Sequence, residues 1–126
     1  MNKRIPEAMV VQADGASMQL ITMGQRELAF ACSGQGSPAV VLETGLGAES
    51  AEWETVERSV SSFARVFRYD RAGRGRSTPA PTPRDAHLVV DELHGLLRAT
   101  GFPGPYVLVG HSLGGLLMRI FAYRYR

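Results

Sequence analysis

Ser112 lies in Gly110-His111-Ser112-Leu113-Gly114, a G-x-S-x-G pattern. A serine in this setting points to nucleophilic attack on an acyl carbonyl. That chemistry needs the hydroxyl raised on a sharp turn with oxyanion donors beside it. Gly110 and Gly114 carry no Cβ, so the backbones on either side of the turn can approach closely, and Gly115 adds room. The first residues of a helix have backbone N–H groups without intrahelical partners, at the positive end of the helix dipole. The Leu113 N–H is therefore a natural donor to a developing oxyanion. His111 adjoins Ser112, but neighbouring side chains point apart across such a turn, which makes it a structural residue of the motif.

A serine of this kind must be presented where a strand stops and a helix starts. Tyr106-Val107-Leu108-Val109 predicts a strand over 106–109. After Ser112, the stripe Leu113, Leu116, Leu117, Ile120 and Phe121 predicts a helix. Upstream, strands are expected over 18–23 and 27–32, joined by a turn at Gly24, then over 39–42 and 65–69. Trp53, Val56, Val60 and Phe63 recur at helical spacing from Ser50 onward, with Glu52, Glu54 and Glu57 loading the early turns. Thr82-Pro83 reads as the N-cap and first position of a further helix, with Val89, Leu93, Leu96 and Leu97 on one face and a stop at Gly101. Strands alternating with helices predict an α/β class with a mostly parallel sheet. Residues 1–17 read as a poorly defined N-terminal segment, with Asp14-Gly15 a candidate hairpin turn. Residues 18–126 read as the amino-terminal part of a single domain.

Two further segments carry chemistry. Glu43-Thr44-Gly45-Leu46-Gly47 follows the third strand, and Asp70-Arg71-Ala72-Gly73-Arg74-Gly75-Arg76-Ser77 follows the fourth. In this order, ahead of Gly-His-Ser-Leu-Gly-Gly, they resemble the α/β-hydrolase superfamily, in particular its bacterial esterase-like members, over about residues 18 to 126. The resemblance implies a partial α/β-hydrolase fold, strands 1-5 with flanking helices. It implies a serine-dependent hydrolase acting on a carboxylic ester or related acyl substrate through an acyl-enzyme. Ser112 is then the nucleophile, and the backbone N–H groups of Leu46 and Leu113 form the oxyanion hole. No cofactor and no metal is implied. Many relatives have a histidine where Thr44 stands, which alters the loop's hydrogen bonding and leaves its backbone donor in place. Serine rather than aspartate at 112 argues against the haloalkane-dehalogenase and epoxide-hydrolase branches, which use a carboxylate nucleophile.

Serine also needs a base, itself oriented by an acid. In the resembled family the order is Ser, then Asp or Glu, then His. Fourteen residues follow Ser112, and none is Asp, Glu or His. The chain thus reads as the amino-terminal half of such a domain, truncated and lacking its acid and base. An inert interaction or scaffold domain, half of a split enzyme, and an acyltransferase using the same residues stay open. His94 is about three turns into its helix, whereas His87 lies near the start of that helix, at the sheet edge where a site of this kind forms. In the family's strand order 1-2-4-3-5-6-7-8, the strand over 106–109 is interior. Here it is expected to be an edge, open to a complementary chain or to self-association.

Composition limits the alternatives. The 126 residues are 44% hydrophobic and 21% charged, an ordinary globular balance, with a net charge of only +2. That excludes a strongly basic nucleic-acid footprint. Arg71, Arg74 and Arg76 accordingly read as a solvated or internally paired loop face rather than a phosphate site. Thr78 breaks a G-x-G-x-x-G reading, and Leu116 after Gly115 excludes a P-loop. The single Cys32 excludes an internal disulfide and a C-x-x-C site. No apolar run approaches the roughly 18 residues of a membrane span, and no signal-peptide pattern follows Met1. The expectation is a cytoplasmic protein with a small-molecule substrate and neither nucleic-acid nor membrane partners.

Overall fold

The computed structural model describes residues 18–81 and 84–126. The Asp14-Gly15 turn, the 1–17 segment and the Thr82-Pro83 cap lie outside the described residues. Five strands, β1 (Gln19–Met23), β2 (Arg26–Ser33), β3 (Ala39–Glu43), β4 (Arg65–Tyr69) and β5 (Tyr106–Gly110), form one sheet in the order β1-β2-β4-β3-β5. β3 pairs in parallel with β4 and β5, while β2 runs antiparallel to both β1 and β4. The sheet is therefore mostly but not wholly parallel, β2 being the reversed strand. β5 stands at an edge of the sheet, as expected.

Helices α2 (Ala86–Thr100) and α3 (Leu113–Arg124) cover one face of the sheet. Val41 and Phe67 point to that side and pack with Leu93, Leu97, Leu117 and Phe121. Each such side chain contributes about 1.5–3 kcal/mol by leaving water, so this layer is the main apolar stabilisation of the fold. Helix α1 (Glu54–Val60) covers the other face, over Val40, Leu42, Ala64 and Val66. This alternation along β3 and β4 is the period of two that a strand imposes.

Two helix starts differ from the sequence reading. Asp85, in extended conformation, caps α2 by accepting the Leu88 N–H at 2.9 Å, so the helix begins after Thr82-Pro83. Its end is as expected: Gly101 adopts φ 71, and the Phe102 N–H returns to the Leu97 carbonyl. The helix from Ser50 opens as a 3-10 segment (Ser50–Trp53), which advances by three residues per turn and shifts the phase of the stripe. Trp53 is buried, but Val56 is 39% exposed and Phe63, beyond the helix, is 66% exposed. The residue that α1 buries is Glu57. Its carboxylate receives Arg68 Nε at 2.7 Å and the Ser33 hydroxyl at 2.9 Å. A buried charge is tolerated because it is paired and hydrogen-bonded.

Candidate functional site

The carboxyl ends of β3, β4 and β5 bring three loops together. Ser112 occupies the turn between β5 and α3 with φ 56 and ψ −119, and among the described residues it is the one non-glycine with positive φ. Such a conformation costs on the order of 1–3 kcal/mol and persists only where neighbours over-determine it. Those neighbours are backbone. A Cβ on Gly110 would collide with the main chain of Gly114 and Gly115, and one on Gly114 would meet the Glu43 carbonyl and come within 2.6 Å of the Thr44 carbonyl. The His111 N–H donates to the Glu43 carbonyl at 3.1 Å, tying the turn to the end of β3. The Ser112 side chain is exposed and makes no capping hydrogen bond within α3.

The loop after β3 passes beside this turn. A Cβ on Gly45 would stand 3.6 Å from Ser112 Cβ and 3.3 Å from His111 Nδ1, so this glycine allows the approach. Residues 45–48 form a tight turn: the Ala48 N–H donates to the Gly45 carbonyl at 3.3 Å, and Gly47 has φ 74. Leu46, at the tip, is 81% exposed. Leu46 and Leu113 both line one cleft of about 280 Å³, with Val89, Leu117, Ala72 and Arg74. The structure thus brings Ser112, the Leu46 loop and Leu113 to one end of the sheet.

The histidines have other surroundings. His94 stacks on Tyr125 with ring centroids 3.7 Å apart, and desolvation with the nearby Arg98 charge holds its imidazole below the usual histidine range. His87 is exposed, while its helix neighbours Ala86 and Val89 line the cleft. His87 is thus a surface residue near the start of α2. His111 Nδ1 lies 3.5 Å from Glu52 Oε1.

Beneath the loops is a buried polar cluster that the sequence reading missed. Glu43 is 1% exposed. Its Oε2 accepts the Tyr69 hydroxyl at 2.6 Å, and its Oε1 accepts Arg71 Nη1 at 2.5 Å. Arg71 Nη1 also donates to the Thr44 carbonyl at 2.7 Å, and Nη2 donates to the Gly45 carbonyl. Burial pushes the Glu43 carboxyl up, opposed by Tyr69 and Arg71, and pushes the Tyr69 phenol well up. Of the three loop arginines, Arg71 is internal whereas Arg74 and Arg76 are exposed, so the expected loop face divides. The missed signal was an acid closing the apolar run Ala-Val-Val-Leu-Glu, opposite an arginine just past the neighbouring strand.

The loop after β4 is latched as well. Asp70 Oδ1 accepts the Ser50 N–H at 2.8 Å, and the Ser77 hydroxyl donates to the Asp70 carbonyl while accepting the Ala29 N–H at 2.8 Å. Gly75, at φ 48, leaves no room for a Cβ beside the Asp70 carboxylate. Cys32 is buried away from these loops, its thiol pushed up to about 12 by desolvation, and so unreactive. Among the described residues no group of three or more His, Cys, Asp or Glu side chains could hold a metal ion, and no helix is long and apolar enough to cross a membrane.

Comparison with known proteins agrees with this architecture. An uncharacterised Bacillus subtilis protein, YqjL, is 34% identical over 89 residues, 71% of this chain and 35% of its own. An AB hydrolase superfamily protein of Gibberella zeae is 36% identical over 88 residues, 69% of this chain and 27% of its own. The chain spans between 16% and 35% of the length of these and a further curated relative. Among solved structures, the Cif epoxide hydrolase from Acinetobacter nosocomialis superposes with a TM-score of 0.78 at 24% identity, over 89% of this chain and 35% of that one, a likeness of fold. The family model described as the alpha/beta hydrolase fold matches residues 38–126, most of the chain, and the protein accordingly belongs to the α/β-hydrolase fold family.

Proposed function

We propose that this chain supplies the nucleophile and the oxyanion donors of a serine-dependent acyl hydrolase, with a carboxylic ester or related acyl compound as substrate. The observation that carries the reading is the positive φ of Ser112, held on a strand-to-helix turn by glycine-only contacts. A serine is kept in so costly a backbone only where presenting its hydroxyl matters. The Ser112 Oγ attacks the substrate carbonyl, its proton passes to a base, and the C–O bond to the alcohol breaks. Water then releases the acyl group from Ser112. The Leu113 N–H opens α3 and the Leu46 N–H sits on the adjoining tight turn, so both can face the carbonyl oxygen as it gains charge.

The test is mass spectrometry of the chain after incubation with a p-nitrophenyl ester of a short acid, beside Ser112→Ala. The expected result is an acyl group on the peptide containing Ser112, absent from the variant. No adduct, together with p-nitrophenol release equal to that of Ser112→Ala, would sink the proposal.

A further inference from the structure

The Gly45–Leu46 peptide unit has two ends with different surroundings. Its carbonyl accepts Arg71 Nη2, below the loop, from a residue only 8% exposed. A trans peptide is planar, with its C=O and N–H pointing in opposite directions. The Leu46 N–H therefore points away from Arg71, on a turn whose Gly45 lies beside Ser112. The same guanidinium holds the preceding Thr44 carbonyl at 2.7 Å, so two successive peptide units are fixed by one side chain. The guanidinium is itself fixed: Glu43 Oε1 accepts it at 2.5 Å, and Tyr69 holds the other carboxylate oxygen at 2.6 Å.

We infer that Arg71 is a positioning residue, anchored by Glu43, that sets the direction of the Leu46 N–H. The role rests on the reading of that N–H as an oxyanion donor. It requires a planar fork with several donors. A lysine ammonium could neutralise Glu43, but it could not span the carboxylate and two carbonyls in fixed directions. Permanent charge suits the task, because the arrangement then does not depend on protonating Arg71. Without this brace the 45–48 turn retains its own hydrogen bond but is free to tilt as a unit. A displacement of about 1 Å at such a donor is enough to cost on the order of a hundredfold in rate.

The experiment measures phosphonylation of the chain by an alkyl fluorophosphonate, in which Ser112 Oγ bonds to phosphorus, fluoride leaves and the serine proton passes to solvent. The second readout is the amide proton shift of Leu46 and Leu113 in the ¹⁵N-labelled adduct. Four proteins are compared: wild type, Arg71→Lys, Glu43→Gln and Arg76→Ala, the last removing an exposed charge from the same loop. Arg71→Lys is expected to react roughly ten- to hundredfold more slowly. The Leu46 amide should lose its downfield shift while that of Leu113 stays, a selectivity that general destabilisation would not produce. Glu43→Gln should be slowed several-fold, and it decides the matter if Arg71→Lys does not fold. Arg76→Ala should react within about twofold of wild type, as expected of a solvated charge. Wild-type reactivity in Arg71→Lys with both shifts intact, or in Glu43→Gln where Arg71→Lys is unfolded, overturns the role of Arg71 alone. A wild type that labels no faster than Ser112→Ala overturns the nucleophile reading, and this role with it.

Discussion

Arg68 and Arg71 stand three positions apart, each buried and each paired with a glutamate, yet they hold different things. Arg68 reaches Glu57 at 2.7 Å and the Ser50 hydroxyl at 2.9 Å, joining α1 and its leading turn to the sheet. Arg71 reaches Glu43 at 2.5 Å and two main-chain carbonyls, joining loops around Ser112. Side-chain partners can be exchanged by mutation, whereas carbonyls cannot. The first pair seats a helix, and the second fixes where a loop backbone runs.

The largest expected effects come from breaking each pair. Arg68→Met and Arg71→Met should each destabilise the fold by about 3–5 kcal/mol in urea melts, because each leaves a buried carboxylate unpaired. Compensation separates them. Arg68→Met with Glu57→Leu should recover the part of the loss due to the ion pair, since a matched apolar pair often replaces one well, and keep about 1–3 kcal/mol for the Ser33 hydroxyl left without its acceptor. Arg71→Met with Glu43→Leu should remain destabilised by about 1–3 kcal/mol each for the Thr44 carbonyl and the Tyr69 hydroxyl left buried without a partner. Equal recovery in the two double variants would erase the distinction.

A smaller effect concerns strain, which belongs to the Ser112 side of the molecule. Ser112→Gly should be more stable than Ser112→Ala by about 1 kcal/mol in thermal melts, since glycine adopts positive φ without steric cost. No difference would mean that the turn imposes no strain.

The smallest effect is a pH dependence. Burial raises the Glu43 carboxyl, so the folded chain keeps that proton at a pH where the unfolded chain has lost it. The stability this contributes is complete below the ordinary glutamate value of 4.5 and is lost as pH rises through the folded value. Raising pH from about 4 to about 7 should therefore lower the stability of wild type relative to Glu43→Gln. A difference that is flat or grows with pH would show that pairing with Arg71 outweighs burial.

Much of the architecture was legible because local pattern and tertiary setting agree. β4 has the predicted span, 65–69, and α3 follows the Leu113–Phe121 stripe. The Gly110 and Gly114 contacts are those a tight strand-to-helix turn demands. What escaped was of another kind. Val56 and Phe63 fit a helical period, but the 3-10 turn broke its phase and turned Glu57 inward. Glu43 and Arg71 looked like ordinary charges because pairing is a property of the folded sheet, which brings residues 28 positions apart into contact. Periodicity reports which side chains leave water, and it gives no account of a charge whose burial depends on a distant partner.

The latch between the Asp70 loop and β2 also has a meaning in time. Ser77 and Thr78 bond to Ala29 and Glu27 across sequence separations of 48 and 51 residues. Contacts that close such long stretches lose chain entropy before they return any energy, so they form late. Once β2 and β4 are in register these bonds close little further chain, so the loop carrying Arg71 is expected to be completed after that pairing. In the reverse direction the same loop is the natural first part to open, and hydrogen exchange at the Ala29 and Thr78 amides is where that opening becomes visible.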